Sequence, residues 1–159
     1  MEMTIRRATA QDYEDLCEII EEVDALHREA LPSIFQEPVG PVRERIYLLG
    51  LLADEDHGLF VAEIEGHAAG YVHVTVRDAP PIPILVPRRV AVVDNLVVKE
   101  AYRRSGLGRA LMGRAGQWAQ AKGAADVELN VYEFNESAIA FYESLGYETF
   151  SRRMGRRLG

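Results

Sequence analysis

Apolar residues recur at helical spacing in the first part of the chain and in short β-branched runs after it. Between Thr9 and Ala30 the apolar positions lie on one helical stripe, at Leu16, Ile19, Ile20, Val23 and Leu26. Thr9 followed by Asp12 is typical of a helix start with an acidic first turn. This pattern predicts a short first strand over Thr4–Ala8 and an amphipathic helix that ends near Ala30.

The middle of the chain has the pattern of a sheet. The runs Gly58–Ile64 and Ala68–Val76 are rich in β-branched residues and flank Glu65-Gly66-His67, which is a hairpin signal. Arg89–Val98 consists largely of Val and Ala, which is typical of a strand buried on both faces. The four prolines of Ala79–Pro87 predict a loop, because proline donates no ladder hydrogen bond.

Helix and strand signals continue to the C-terminus. The remaining predicted helices are Val42–Leu52 with Pro41 in its first turn, Gly106–Lys122 and Asn135–Leu145, and the remaining strands are Val127–Tyr132 and Tyr147–Arg153. No repeat or linker divides the sequence, so we expect a single domain over residues 1–159. The alternation of strands and helices predicts an α/β (α+β) fold with a mixed sheet.

The composition and charge of the chain argue against some classes of partner. The sequence has 48% hydrophobic and 27% charged residues, as globular domains do. The formal net charge of −7, from 18 Lys and Arg against 25 Asp and Glu, argues against a nucleic-acid partner, because phosphates need cationic side chains. No apolar run approaches the roughly 20 residues that cross a bilayer, and the N-terminus has no signal-peptide core. We therefore expect a cytoplasmic protein without membrane attachment.

The single cysteine and the four histidines give no metal-binding pattern. Cys17 lies beside Leu16 and Ile19 on the predicted helix and is interpreted as a small core residue. The histidines, His27, His57, His67 and His73, are not at metal-ligand spacing, and no second cysteine completes a zinc set. We expect no metal.

A Gly- and Arg-rich turn, Arg103–Arg109, joins the predicted buried strand to the helix that follows. Such a turn exposes unpaired N–H groups at the positive end of the helix dipole, so it can hold a pyrophosphate. Gly106 and Gly108 allow close approach of the backbone, although two glycines at such a junction also serve packing alone. The turn lacks the Gly-Lys-Ser/Thr of a Walker A loop and the three glycines of a dinucleotide fingerprint. ATP and NAD are therefore disfavoured.

Two motifs carry a resemblance to a known family. Arg103–Gly108 fits Gln/Arg-x-x-Gly-x-Gly/Ala, and Asn135–Tyr147 fits Asn-x-x-Ala-x-x-Phe-Tyr-x-x-x-Gly-Phe/Tyr. In this order they resemble the cofactor motifs of the GNAT N-acetyltransferases. The resemblance implies a central mixed, mostly antiparallel sheet of about six or seven strands flanked by about four helices. It also implies acetyl-CoA as the cofactor.

The resemblance assigns roles to individual residues. Backbone groups of Leu96, Val97 and Val98 are expected to pair with pantetheine as an added strand. The expected pyrophosphate cradle comprises Arg103, Arg104, Ser105, Gly106, Leu107, Gly108 and Arg109. Asn135 would contact the pantetheine arm or orient the helix start. Tyr142 matches the family tyrosine whose hydroxyl lies near the CoA sulfur and can protonate the leaving thiolate.

Asp94 is the candidate proton acceptor. An alkyl amine is mostly protonated at pH 7, so a carboxylate close to the acceptor can take its proton, directly or through water. The segment around Asp94 resembles that of spermidine/spermine acetyltransferases, with Asp94 at their acidic position and Asn95 in place of their aspartate. Two alternatives remain open: Asp94 as a strand-face or bulge residue, and Tyr142 as a core tyrosine.

The sequence therefore predicts an enzyme that transfers acetyl from acetyl-CoA to a primary amine of a small molecule by direct attack in a ternary complex. A protein or peptide amine is the alternative acceptor, and a non-catalytic acyl-CoA-binding module is the alternative function. His27, Glu29 and Phe35 fall in regions that line the acceptor pocket of the resembled family. The family resemblance also allows a homodimer. It implies two strands after the last helix, and we expect this C-terminal hairpin to be cut short or completed by another chain.

Overall fold

Five strands form one sheet in this computed structural model, which describes residues 2–159. The strands are β1 (Met3–Arg7), β2 (His57–Ile64), β3 (His67–Asp78), β4 (Arg89–Val98) and β5 (Asp126–Leu129), and they lie in chain order across the sheet. Every neighbouring pair is antiparallel except β4 and β5, which are parallel. The mixed, mostly antiparallel sheet is confirmed.

Four α-helices accompany the sheet, as the sequence predicts. They are α1 (Tyr13–Ala30), α2 (Arg45–Ala53), α3 (Leu107–Ala121) and α4 (Glu136–Ser144). The second helix begins later than expected, because Glu44 before it is extended, with φ −84° and ψ 154°. Pro41 therefore lies outside its first turn. None of the helices within residues 2–159 has the length and apolarity needed to cross a bilayer.

The prediction of a sixth strand over Tyr147–Arg153 is wrong. Within the described residues this segment pairs with no strand, and the sheet therefore has five strands and not six or seven. The side chain of Phe150 is 77% exposed. A strand needs a neighbour to accept and donate its backbone hydrogen bonds, whereas the N–H of Tyr147 donates to the carbonyl of Tyr142 in α4 at 3.1 Å. The preceding strand is also shorter than expected, since β5 ends at Leu129.

The two faces of the sheet are covered by different helices. On one face, Phe60 and Val72 pack in a cluster with Leu111 and Trp118 of α3. On the other face, Leu59, Val61, Tyr71 and Val97 pack with Leu16, Ile19 and Ile20 of α1 and Leu48 of α2. Both faces are therefore apolar, which explains why the central strands lack strict alternation.

Two β-bulges interrupt the central ladders. Between β2 and β3 the partner steps from Gly70 to Ala68, which leaves Ala69 unpaired. Between β3 and β4, Asn95 pairs with His73 and Val93 pairs with Val74, which leaves Asp94 unpaired. A bulge re-aims the side chains around it. Asp94 therefore lies at a bulge, a position that is compatible with a purely structural role and with the role of proton acceptor.

Candidate active site

Strand β4 extends beyond its parallel neighbour. The β4–β5 ladder ends at the pair Val93 and Leu129, whereas β4 continues to Val98. Among the described residues no strand pairs with the β5 side of β4 from Asp94 onward. Leu96, Val97 and Val98 therefore lie at an open sheet edge, which can accept an extended ligand as an added strand.

The turn after β4 has the backbone of an anion-binding loop. Arg104 and Gly106 have left-handed conformations, with φ 62° and φ 86°. Gly106 is the N-cap of α3 and has no side chain that could cap the helix. The first helical hydrogen bond runs from the N–H of Ala110 to the carbonyl of Gly106 at 3.0 Å. The N–H groups of Leu107, Gly108 and Arg109 precede that bond and lie at the positive end of the helix dipole. This end of α3 therefore suits a pyrophosphate.

The polar side chains of the turn divide into two groups. The Nε–H of Arg103 donates to the carbonyl of Val98 at 3.1 Å, and the Ser105 hydroxyl donates to the carbonyl of Tyr102. These two side chains hold the shape of the turn. Arg104 and Arg109 are exposed and add positive charge beside the free N–H groups.

Helix α4 carries the second motif. Oδ1 of Asn135 accepts the N–H of Ala138 at 3.2 Å, so Asn135 caps α4 and orients its start. Tyr142 is half-buried between two rings, with centroid distances of 5.3 Å to Phe141 and 5.9 Å to Tyr147. Burial, with a smaller contribution from Tyr147, raises the pKa of Tyr142 to about 12. The Tyr142 hydroxyl therefore remains protonated at neutral pH and can donate a hydrogen bond.

The Asp94 carboxylate lies on the α1/α2 face of the sheet. The Thr75 hydroxyl donates to its Oδ2, and Nε2 of His73 lies 3.7 Å from the same oxygen. Arg77 approaches Oδ1 at 4.0 Å. The side chain is 32% exposed, so an acceptor amine can reach it.

The sequence did not predict a histidine pair beside Asp94, because a register shift at Ala69 brings the two rings to the same face. Nε2 of His73 lies 2.8 Å from Nδ1 of His57, within hydrogen-bond distance. His73 is buried, and burial is the main cause that lowers its pKa, with Asp94 acting in the opposite direction. His73 is therefore neutral at pH 7. Residues 2–159 contain no group of three or more His, Cys, Asp or Glu side chains arranged to hold a metal ion.

A cleft between α1, α2 and the sheet adjoins these residues. Its cavity measures about 30 Å³ and opens to solvent. Its polar lining is Arg43, His73 and Asn95, and aliphatic and aromatic side chains, among them Leu16 and Tyr71, form most of the wall. Cys17 also lines this cleft and is half-buried, so it is not the core residue that the sequence predicts. The bulge brings Asp94 and Asn95 to the same face, where Asn95 lines this space and Asp94 lies 3.7 Å from His73.

Two of the residues expected near the acceptor lie in an aromatic cluster. The ring of His27 lies 5.3 Å from Phe35, 5.5 Å from Tyr132 and 5.5 Å from Phe134, measured between centroids. Its Nδ1 is 2.7 Å from the carbonyl of Val23, which orients the ring. The cluster connects α1 to the segment that follows β5, whereas Glu29 is exposed outside it.

Known proteins match this chain in sequence. The family model described as Acetyltransferase (GNAT) family matches residues 20–147. An uncharacterized N-acetyltransferase of Methanocaldococcus jannaschii is 35% identical over 104 residues, which cover 65% of this chain and 45% of that protein. An L-ornithine N5-acetyltransferase of Arabidopsis thaliana is 31% identical over 71 residues, which cover 45% of this chain and 31% of that protein. The chain thus aligns with less than half the length of these two relatives.

A solved structure matches nearly the whole chain. The crystal structure of a mutant protein from Bacillus halodurans has a TM-score of 0.93 at 28% identity and covers 98% of this chain and 99% of that chain. The matched residues include both sequence motifs, Arg103–Gly108 and Asn135–Tyr147. The fold and the acetyltransferase class predicted from those motifs are thereby confirmed. The chain belongs to the GNAT family of N-acetyltransferases, whose members generally use acetyl-CoA as their cosubstrate.

Proposed function

We propose that this protein transfers an acetyl group from acetyl-CoA to the primary amine of a small molecule, by direct attack in a ternary complex. One observation carries the proposal. Within Asp94–Arg109 the chain contains the Asp94 carboxylate at a bulge, the unpaired edge of β4 and the N-terminus of α3, which no side chain caps. These are the groups needed to hold a CoA thioester and to deprotonate an amine next to it.

The residues present fit acetyl-CoA. Leu96, Val97 and Val98 offer backbone groups to the amide-bearing arm, and the N–H groups of Leu107–Arg109 offer hydrogen bonds to the pyrophosphate. Arg104 and Arg109 supply charge, while Arg103 and Ser105 act indirectly by fixing the turn. When bound, acetyl-CoA supplies the activated acetyl group, so no covalent enzyme intermediate is needed.

Asp94 accepts the proton of the incoming amine. An alkylammonium has a pKa near 10.4, whereas only the neutral amine is a nucleophile. The Asp94 carboxylate, part-exposed at the bulge, accepts a hydrogen bond from Thr75 and keeps further lone pairs free for the acceptor. It is thus placed to hold the amine and to take its proton as the N–C bond forms.

Tyr142 stabilises the leaving sulfur. With a pKa of about 12, its hydroxyl keeps its proton at neutral pH and can donate a hydrogen bond. Full transfer to a thiolate, whose thiol has a pKa near 8.5, is uphill for this group. The expected contribution is therefore a hydrogen bond to the developing negative charge, with the final proton taken from solvent.

The cleft lined by His73 and Asn95 lies near the Asp94 carboxylate, because Nε2 of His73 is 3.7 Å from Oδ2 of Asp94. Its position on the α1/α2 face leaves the open edge of β4 for the cofactor. The plant relative named as an L-ornithine N5-acetyltransferase supports testing amino acids that carry a side-chain amine.

Thiol release from acetyl-CoA tests the proposal with L-ornithine, L-lysine, putrescine and a short peptide with a free N-terminus. Wild type is expected to acetylate at least one small amine, and Asp94→Asn to lower kcat by about a hundredfold while acetyl-CoA binding is retained. Asp78→Asn, at the exposed end of β3, is the matched control and should leave kcat unchanged. If only the peptide is acetylated, the acceptor is a peptide amine and not the amine of a small molecule. Acetyl-CoA binding without release from any amine would favour a non-catalytic binding module.

A further inference from the structure

Arg43 brings a positive charge into the cleft between α1, α2 and the sheet. Of the described residues that line this cleft, it is the only one with a charged side chain at neutral pH. Asn95 is neutral, and His73 is neutral because burial lowers its pKa. A single cationic group in an otherwise neutral and mostly apolar cleft favours a ligand that carries an anionic group there.

The backbone and the side chain of Arg43 are both held by α1. The Tyr13 hydroxyl donates to the carbonyl of Arg43 at 2.5 Å, and Nη1 of Arg43 donates to Oδ2 of Asp24 at 3.0 Å. Within residues 2–159 the structure gives no acceptor to Nη2 or Nε of Arg43. These two nitrogens share one edge of the planar guanidinium, and their N–H groups match the two oxygens of a carboxylate. The Arg43 side chain is 29% exposed, so part of it is open to a ligand.

The charges of Arg43 and Asp94 act on the same two side chains of β3. Burial lowers the pKa of His73, while Asp94 raises it and Arg43 lowers it. Burial raises the pKa of Tyr71, while Arg43 lowers it and Asp94 raises it. A positive and a negative side chain are therefore within electrostatic range of one stretch of the cleft wall. An acceptor that carries both an ammonium and a carboxylate group is complementary to the two charges.

Arg43 and Cys17 also line a second and wider space, between α1 and the segment that precedes α2. This space measures about 320 Å³, and its lining includes the carboxylates of Glu21, Asp24 and Glu37. Of the described residues around it, Arg43 is the only cation, so a carboxylate in this space is attracted to the guanidinium and repelled elsewhere. An ammonium group next to that carboxylate, as in an α-amino acid, is compatible with the acidic side chains.

We propose that the acceptor is an α-amino acid with a second amine in its side chain, and that Nη2 and Nε of Arg43 bind its α-carboxylate. The inference rests on the proposed function, because it assumes that Asp94 receives the reacting amine. A carboxylate bound at Arg43 holds the α-amine beside it and leaves the side-chain amine free to extend along the cleft to Asp94. Arg43 thus selects the acceptor and takes no part in the acetyl transfer itself.

Three acceptors of equal chain length separate the contributions of the charged groups. L-ornithine has an α-carboxylate and an α-amine, putrescine lacks the carboxylate, and 5-aminopentanoate lacks the α-amine. The KM of wild type for putrescine should be at least tenfold above that for L-ornithine, because the contact with Arg43 is lost. The KM for 5-aminopentanoate should lie below that for putrescine. A KM for putrescine equal to or below that for L-ornithine would overturn the inference.

Arg43→Gln tests the residue directly. It should raise the KM for L-ornithine about tenfold, leave kcat within about twofold and leave the KM for putrescine unchanged. Arg43→Lys keeps the charge without the paired donors and should give an intermediate KM for L-ornithine. Arg45→Gln is the matched control, because it removes the same charge from an exposed arginine outside the cleft lining. It should leave the KM for L-ornithine unchanged.

Asp24→Asn separates carboxylate binding from the structural effect of the ion pair. Like Arg43→Gln, it removes the contact between Arg43 and Asp24, but it retains the guanidinium. The KM for L-ornithine should therefore rise much less in Asp24→Asn than in Arg43→Gln. Equal increases in the two variants, or an Arg43→Gln enzyme with the same increase for L-ornithine and putrescine, would show a structural effect and contradict the inference.

Calorimetric titration of the protein with L-ornithine and with putrescine, in the presence of CoA, needs no turnover. Wild type should bind L-ornithine at least tenfold more tightly than putrescine, and Arg43→Gln should bind the two alike. This result without acetylation of any small amine by wild type would refute the proposed function and leave the carboxylate site intact. Acetylation of both amines, with equal affinities in wild type and in Arg43→Gln, would refute the inference alone. Binding of neither amine by wild type would also refute it.

Discussion

Gly108 of α3 and Phe141 of α4 pack so closely that a Cβ on Gly108 would lie 3.1 Å from Cζ of Phe141. The contact joins the helix that begins with the free N–H groups to the helix that carries Tyr142. The two glycines of the first motif therefore have different purposes. Gly108 allows close packing, whereas Gly106 supplies a left-handed cap with φ 86° and has open space around it.

The first prediction concerns glycines of α3. Gly108→Leu should lower the free energy of unfolding by about 2 kcal/mol, because the side chain must displace the Phe141 ring. Gly113→Ala is the matched control, since no atom lies within 4 Å of a Cβ at that position. It should raise the stability by about 1 kcal/mol through helix propensity. Urea unfolding of both variants measures the difference, and equal effects would contradict the packing assigned to Gly108.

The second prediction concerns the hydroxyl of Tyr142. Tyr142→Phe should lower kcat by about 10- to 100-fold with an unchanged dissociation constant for acetyl-CoA, because only the hydrogen bond to the leaving sulfur is lost. Tyr147→Phe, which changes the neighbouring ring, is the control and should retain most of the activity. A Tyr142→Phe enzyme as active as wild type would remove Tyr142 from the mechanism and leave it a core tyrosine.

The third prediction concerns acid stability. The Asp12 carboxylate is buried and accepts two N–H groups of Arg6 at 2.8 Å each and the Thr9 N–H at 2.7 Å. The hydrogen bonds from Arg6 are the main cause that lowers the pKa of Asp12 below its usual range. Since the folded-state pKa lies below the unfolded-state value, this group stabilises the fold above about pH 4. That contribution is lost as the pH falls towards the folded-state pKa.

Asp12→Asn should therefore be about 2 kcal/mol less stable than wild type at pH 7. The difference should shrink on acidification from about pH 5 to about pH 3, measured by urea unfolding at each pH. Asp15→Asn, an exposed carboxylate of α1, is the control and should change stability by less than about 0.5 kcal/mol at pH 7. A constant difference between wild type and Asp12→Asn across this range would contradict the assignment.

Much of the fold could be predicted because its signals are local. The start of α3 follows from Gly106 and Gly108, and the cap of α4 follows from Asn135, each within one turn of chain. The sixth strand could not be predicted reliably from the segment Tyr147–Arg153. Its residues allow an extended chain, but strand formation depends on a distant partner, and no described strand lies beside it.

The proximity of His57 and His73 could not be predicted from the sequence for a different reason. Counting outward from the turn at Glu65 and Gly66, an uninterrupted hairpin would pair His57 with Val74 and place His73 on the opposite face. The bulge at Ala69 shifts the register, so His57 pairs with Thr75 and lies diagonal to His73 on the same face. The alanine at position 69 is not a residue type that indicates a bulge. The proximity of the two rings therefore emerged only from the structure.

Calorimetric titration with acetyl-CoA tests the central claim most directly, on wild type and on two glycine variants. Gly106 and Gly123 both have left-handed backbones, with φ 86° and φ 84°, at opposite ends of α3, and a Cβ at either would have open space. Gly106→Ala and Gly123→Ala should therefore lose similar stability, about 1 kcal/mol. The account predicts micromolar binding by wild type and Gly123→Ala, and binding at least tenfold weaker by Gly106→Ala. No binding by wild type, or equal binding by both variants, would contradict it.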